Sequence, residues 1–126
     1  MLNGVTSIGT NAFYRCTSLV SITIPASVTT IFQQAFYGCT GLSTVTMLNG
    51  VTSIGINAFY HCTSLVSITI PASVTSISDS AFQDCTSLTY CLVPDSTTLG
   101  LDVFQGCSKL MSKADMMKVL SRCVYK

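Results

Sequence analysis

Seven cysteines, one histidine and five aspartates are among the side chains here that could ligate a metal, attack a substrate or move a proton. Five of the cysteines keep one interval: Cys16, Cys39, Cys62, Cys85 and Cys107 follow one another at 23, 23, 23 and 22 residues. No C-x-x-C pair or His/Cys cluster accompanies them, so the spacing is not that of a zinc site. The histidine, His61, shares its place in the interval with Arg15, Gly38, Asp84 and Gly106, which read as exposed and variable. A catalytic histidine needs an oriented partner within hydrogen-bond reach. Asp84 lies one interval on, and both side chains are expected to point to solvent. The sequence holds no glutamate, and it shows no glycine-rich phosphate loop, nucleophile elbow or paired carboxylates. It reads as non-enzymatic, with neither metal nor cofactor.

The cysteines instead close a repeated unit: Ala12-Phe13-x-x-Cys16, Ala35-Phe36-x-x-Cys39, Ala58-Phe59-x-x-Cys62, Ala81-Phe82-x-x-Cys85 and Val103-Phe104-x-x-Cys107. A fixed period of this length marks a solenoid, in which each unit buries its apolar face only against its neighbours. Equivalent residues then stack about 4.7–4.9 Å apart where strands pair. Their Cβ vectors would be nearly parallel, whereas a disulfide needs Cβ atoms about 3.5–4.5 Å apart and turned toward each other. The five are read as buried free thiols acting as small apolar groups, with a disulfide framework as the alternative. Phe13, Phe36, Phe59, Phe82 and Phe104 fill the centre of the coils.

The unit from Leu19 to Thr40 shows what must position these side chains. Leu19 to Ile24 is β-rich and alternates at its end, so it reads as a strand with Leu19, Ile22 and Ile24 inward. Pro25 ends it, because proline cannot donate to a ladder. Ala26 to Ile31 crosses one end of the coil with Val28 and Ile31 inward. Ala35 to Cys39 makes a helical or 3₁₀ return turn. Cys91 occupies an inward strand position held by Ile22, Val45 and Ile68 in other units, a core substitution. Asn49-Gly50 suits a turn with positive φ.

A longer period lies over the first. Residues 1–24 match residues 47–70 except at Thr10 against Ile56 and Arg15 against His61. The array reads as extended by duplication of a 46-residue, two-coil block.

Charged residues make up only 9% of the chain, against about 25% in ordinary soluble proteins, and the net charge is +1. That leaves no electrostatic footprint for nucleic acid or anionic lipid. Before Asp79 the only formal charge is Arg15. No apolar run approaches the ~20 residues of a spanning helix, and no signal peptide is visible at Met1 to Gly4. Free cysteines without a leader favour an intracellular compartment.

The pattern carried by Leu65 to Pro71, Ser73-Val74-Thr75, Ile77, Ala81-Phe82 and Cys85 resembles the BspA-like (Treponema pallidum-type) leucine-rich repeat. The resemblance runs from residue 1 to about residue 110. It implies an α/β solenoid: a curved leucine-rich-repeat array with a parallel β-sheet on the concave face and short helical or 3₁₀ return turns. It also implies adhesion or host-protein binding, which allows a cell-surface location. Residues 1–111 form the solenoid of about five coils on this reading, and 112–126 a C-terminal capping helix. Ser112-Lys113-Ala114-Asp115 reads as the helix start, with an acid at the third helical position. Met116, Val119, Leu120 and Cys123 would form one apolar face over the last coil, with Lys118, Arg122 and Lys126 toward the end that favours cations. Binding of a partner by this helix is the alternative. At the other end Met1 corresponds to Met47, the last residue of a strand, which leaves Leu19–Ile24 as an open edge that invites pairing with another chain.

Two surfaces are candidates for function. The concave sheet would present Ser21, Thr44, Ser67 and Tyr90 in one row and Thr23, Thr46, Thr69 and Leu92 in another. Solenoids usually bind through such a face, and Tyr90 is its one hot-spot-like anchor. The alternative is a solvated face chosen for β propensity. The second surface is an aromatic strip of Tyr14, Tyr37 and Tyr60, which either contacts a partner or a sugar, or shields the seams between coils. The leading expectation is a protein-binding module or structural subunit of a larger assembly. Behind it stand end-to-end self-assembly and, last, binding of glycan or ice by threonine rows.

Overall fold

The computed structural model describes residues 4–124, with side chains described as far as Val119. Its elements are β1 (Ser7–Ile8), β2 (Ser21–Ile24), β3 (Thr30–Ile31), β4 (Thr44–Met47), β5 (Ser53–Ile54), β6 (Ser67–Thr69), β7 (Ser76–Ile77), β8 (Tyr90–Leu92), β9 (Thr98–Leu99) and α1 (Lys113–Val124). They build two parallel ladders, in which every strand pairs with the strand one coil away. The order is β2-β4-β6-β8 in one sheet and β1-β3-β5-β7-β9 in the other. Coils 1 to 5 are numbered here by β1, β3, β5, β7 and β9. The first lacks a strand of the four-stranded sheet among the described residues.

The four-stranded sheet is the one the alternation predicts. Its register pairs Ser21 with Thr44 and Thr23 with Thr46, Thr44 with Ser67, and then Ser67 with Tyr90 and Thr69 with Leu92. The strand begins at Ser21 rather than Leu19, and Leu19 packs at its approach as a partly buried core residue. The five-stranded sheet was not anticipated. Ala26 to Ile31, expected merely to cross the end of the coil, ends in the two-residue strand β3, paired to β1 and β5. A run that short has no periodicity of its own. Only the coils above and below make it a strand.

The return segments add a third set of bonds between coils. Expected as one helical or 3₁₀ turn, each is a chain of tight turns closed by i→i−3 bonds, such as Ala12 to Gly9, Tyr14 to Asn11 and Cys16 to Phe13. The N–H groups in between point along the array: Phe13 donates to Ala35, Phe36 to Ala58 and Phe59 to Ala81, each at 2.7 Å. This alternation requires left-handed residues at two places in each return. Asn11, Gln34, Asn57, Ser80 and Asp102 fill the first. Arg15, Gly38, His61, Asp84 and Gly106 fill the second, with φ between 55° and 80°. Asn49-Gly50 differs from expectation, since neither residue has positive φ. Gly50 is needed for room: a Cβ there would lie 3.0 Å from the Ala26 carbonyl carbon of the preceding coil.

The core lies inside the coils. Phe36, Phe59 and Phe82 are fully buried, and from Phe13 to Phe82 successive rings stack at centroid spacings of 5.0–5.1 Å, planes within 7° of parallel. At one end α1 closes over β8. Ser112 Oγ accepts from the Asp115 N–H at 3.1 Å, capping the helix start. Met116 is buried, and its Sδ accepts from the Cys91 N–H at 3.3 Å. Lys113 pairs with Asp95 of coil 5. Val119, expected on the same apolar face as Met116, is 37% exposed. One helical turn of separation carries it away from the narrow coil beneath. The side chains of Leu120, Arg122 and Cys123, and residues Met1 and Lys126, lie outside the described residues.

Candidate functional site

The two outward rows of the four-stranded sheet stand where the pairing places them. Ser21, Thr23, Thr44, Thr46, Ser67 and Thr69 are exposed, while Tyr90 and Leu92 are half-buried at the helix end. Their hydroxyls differ from those that bridge neighbouring coils just before each strand. On the five-stranded side, threonines tie the coils together: Thr52 Oγ1 donates to the Thr29 carbonyl at 3.0 Å, Thr75 Oγ1 to Thr52 at 3.1 Å and Thr97 Oγ1 to Val74 at 2.8 Å. At the approach to the four-stranded sheet, Ser43 and Thr89 donate in the same way to Val20 and Val66. Among the described residues none of the six row hydroxyls is engaged by another protein group. They remain free to bond a ligand or water.

The same face carries a local opening. β4 and β6 are held in register by the one pair Thr44–Ser67, where β2 and β4 share four pairs and β6 and β8 three. Pro71 follows β6 and has no N–H to extend the ladder, whereas Leu48, its equivalent after β4, donates to the Ile24 carbonyl at 3.0 Å. A depression of about 220 Å³ lies at this seam, lined by Ser43–Met47 and Ser67–Thr69.

Tyr14, Tyr37 and Tyr60 form the expected column, with rings stacked at 5.0 and 4.9 Å. The rings cover one another's faces, so the strip offers edges and hydroxyls. Partial burial and the Asp84 carboxylate hold the Tyr60 phenol above its ordinary pKa.

The thiols do more than fill space. Cys39, Cys62, Cys85 and Cys107 each donate to the carbonyl of the core phenylalanine one coil earlier, at 3.0–3.3 Å. All six described cysteines are free. Burial pushes Cys39 up to about 11 and Cys91 up to about 12, and Cys62 higher still. Cys85 is also raised, first by the adjoining Cys107 and then by burial. Cys107 is half-buried, and the Cys85 thiol beside it holds it below the usual thiol value. Deeply buried thiols of raised pKa are poor nucleophiles and poor ligands. Among the described residues no three His, Cys, Asp or Glu side chains gather as a metal would require. His61 is exposed in its left-handed position, and no hydrogen bond or ion pair joins it to Asp84. Among the described residues no helix is long and apolar enough to cross a membrane.

Sequence reasoning missed the hydrogen-bonding role of the thiols and the two left-handed columns. A signal for the columns was present in Asn11, Asn57 and Asp102, residue types that tolerate positive φ.

Known proteins of the same build extend the comparison. A leucine-rich repeat protein from Bacteroides ovatus matches 86% of this chain at 35% identity, with a TM-score of 0.69. A leucine-rich cell surface protein from Faecalibacterium prausnitzii matches 86% of it at 28% identity, with a TM-score of 0.55. The chain spans about a third of the Bacteroides protein (34%) and 42% of the Faecalibacterium one. No curated protein matches. The BspA type leucine rich repeat region matches residues 1–111 as six copies. These repeats make protein-interaction or structural modules on a fold that is typically non-enzymatic. In-register coils, a buried phenylalanine column and a repeat match over residues 1–111 leave one assignment: the chain belongs to the BspA-type leucine-rich repeat family.

Proposed function

We propose that the chain is a non-enzymatic recognition module that binds a protein partner through the four-stranded face. The exposed, unengaged hydroxyls of Ser21, Thr23, Thr44, Thr46, Ser67 and Thr69, aligned in rows along strands of three and four residues, carry this reading. Six neutral donors and acceptors on a rigid parallel sheet suit the polar part of an interface. Tyr90 and Leu92 at one end supply its apolar anchor. The Faecalibacterium neighbour is described as a cell surface protein, which supports a surface-recognition role.

The test uses the full chain and two double variants in parallel capture from the source organism and its surroundings. Thr44→Lys with Tyr90→Lys places charge on the proposed face. Ser53→Lys with Ser76→Lys places the same charge on the five-stranded side. A companion retained by the wild type and the second variant but lost with the first locates binding on the four-stranded face. Loss with the second variant alone moves the site.

A second reading rests on β2, which is an edge of its sheet. End-to-end association through Ser21–Ile24 would make the chain a structural, self-assembling piece. Sedimentation should then show mass rising with concentration, and a constant monomer mass rejects it.

A further inference from the structure

The core is open at the end of the array beside α1. Leu99 ends the inward column of Ile31, Ile54 and Ile77, and Phe104 ends the column of rings. Both are partly exposed, while Ile77 and Phe82, one coil earlier, are buried. A cavity of about 320 Å³ lies against them, between coil 5 and α1. Val93, Leu110, Met111 and Met116 complete its apolar wall. Ligand pockets in proteins begin at about 300 Å³. An apolar cavity of about 150 Å³ already takes one benzene ring, so this one has room for two fused rings.

The strand side of this end is taken. Met111 donates to the Thr89 carbonyl at 2.9 Å, in the place where Ser43 donates to Val20 and leads into β4. Continued as a strand, the chain would put Lys113 beneath Cys91, in the inward column of Val45 and Ile68. An unpaired charge there is costly, and the chain turns into α1 instead, with Met116 on Cys91. What stays open is a recess roofed by a helix, sized for a small molecule rather than for another coil.

The ring column selects the shape of that molecule. Phe36, Phe59 and Phe82 each have a ring on both faces, with centroids 5.0–5.7 Å away and planes within 13° of parallel. Phe104 has Phe82 on one face and lines the cavity. A planar ring about 5 Å beyond Phe104 would continue the stack. Charge selects further. Among the described residues the charged groups lining the cavity are Lys113 and Asp95, which pair with each other at its exposed rim. With no unpaired charge in the wall, a neutral ligand loses least on leaving water.

We propose that this recess binds a neutral planar aromatic molecule of one or two fused rings, stacked on Phe104 beneath α1. The site lies at the end of the array and does not depend on the hydroxyl face.

The probes are indole, phenol and cyclohexanol, the last matching phenol in size without its flat ring. Each is titrated into the full chain carrying carbon-13 in its methionine methyl groups. Indole and phenol should shift the Met111 and Met116 resonances saturably and leave Met47, in coil 2, unmoved. Ligand ring protons should move upfield, as protons above an aromatic face do. Cyclohexanol should bind about fivefold more weakly than phenol or worse. Phe104→Leu keeps an apolar wall and removes the ring, so it should weaken indole and phenol about fivefold and cyclohexanol by less than about twofold. The ring-proton shifts are read on the wild type and stand whether or not that variant folds. Shifts that do not saturate, or that reach Met47 equally, overturn the proposal. So does equal binding of phenol and cyclohexanol, or ring protons that stay in place.

Discussion

Coil 3 and coil 5 follow one repeat plan and differ in what covers them. In coil 3, Phe59 is fully buried between rings 5.0 and 5.1 Å away, and the Cys62 thiol is buried with it. In coil 5, Phe104 is half-buried, its ring sits 5.7 Å from Phe82 and tilts by 13°, and Cys107 is half-buried. The interval is one residue shorter there, and Val103 replaces the usual alanine. The helix that follows covers β8 rather than Phe104's whole outer side. In a solenoid, then, the same residue changes from inert core to accessible group by losing one neighbour. Depth belongs to the stack and not to the unit.

The sharpest way to break this comparison is to truncate both rings. Phe59→Ala should lower unfolding free energy by about 3–5 kcal/mol in denaturant titrations, and Phe104→Ala should lower it by clearly less. Equal losses would mean that coil 5 is as well covered as coil 3.

Thiol chemistry sharpens it next. With iodoacetamide at neutral pH, Cys107 should be labelled first and Cys62 only as the chain unfolds, read by peptide mass spectrometry. Raised thiols also set a pH dependence. Cys39 keeps its proton to about 11 when folded, while an exposed thiol in the unfolded chain ionises near about 8.5. The unfolded state therefore binds fewer protons between these values, and stability should be level below about pH 8 and fall as pH rises toward 11. Thermal melts across that range check the sign.

A smaller effect separates backbone from side chain. His61 and Gly38 share one left-handed position, in neighbouring coils. His61→Gly should raise stability by up to about 1 kcal/mol, and Gly38→His should lower it by about 1–2 kcal/mol. Chemical denaturation of both distinguishes this from any role for the imidazole. The smallest effect is expected on the hydroxyl face, where Thr46→Lys should leave stability within about 0.5 kcal/mol.

The sequence made the stacking legible because stacking repeats at one interval. Phe36, Cys39, Val28 and Ile31 lie inward as their positions in the repeat require. Features created between coils were harder to see. Thr30 and Ile31 become a strand only through their neighbours one coil away. The thiols were read as apolar because the carbonyls they bond lie 25 or 26 residues upstream. Of the hydroxyl face, the rows were readable and their freedom from internal bonds was not, since Thr52 and Thr46 look alike in sequence.

Residues 1–24 and 47–70 differ at only two positions, and equivalent residues stack one coil apart at a nearly constant spacing. A cut at any point in one block and the matching point in the other therefore rejoins into a seam the molecule already contains. Copying 46 residues lengthens the array by two coils, about 10 Å, without requiring a new kind of contact. Reach becomes a quantity that recombination can adjust in fixed steps while the surface chemistry stays the same.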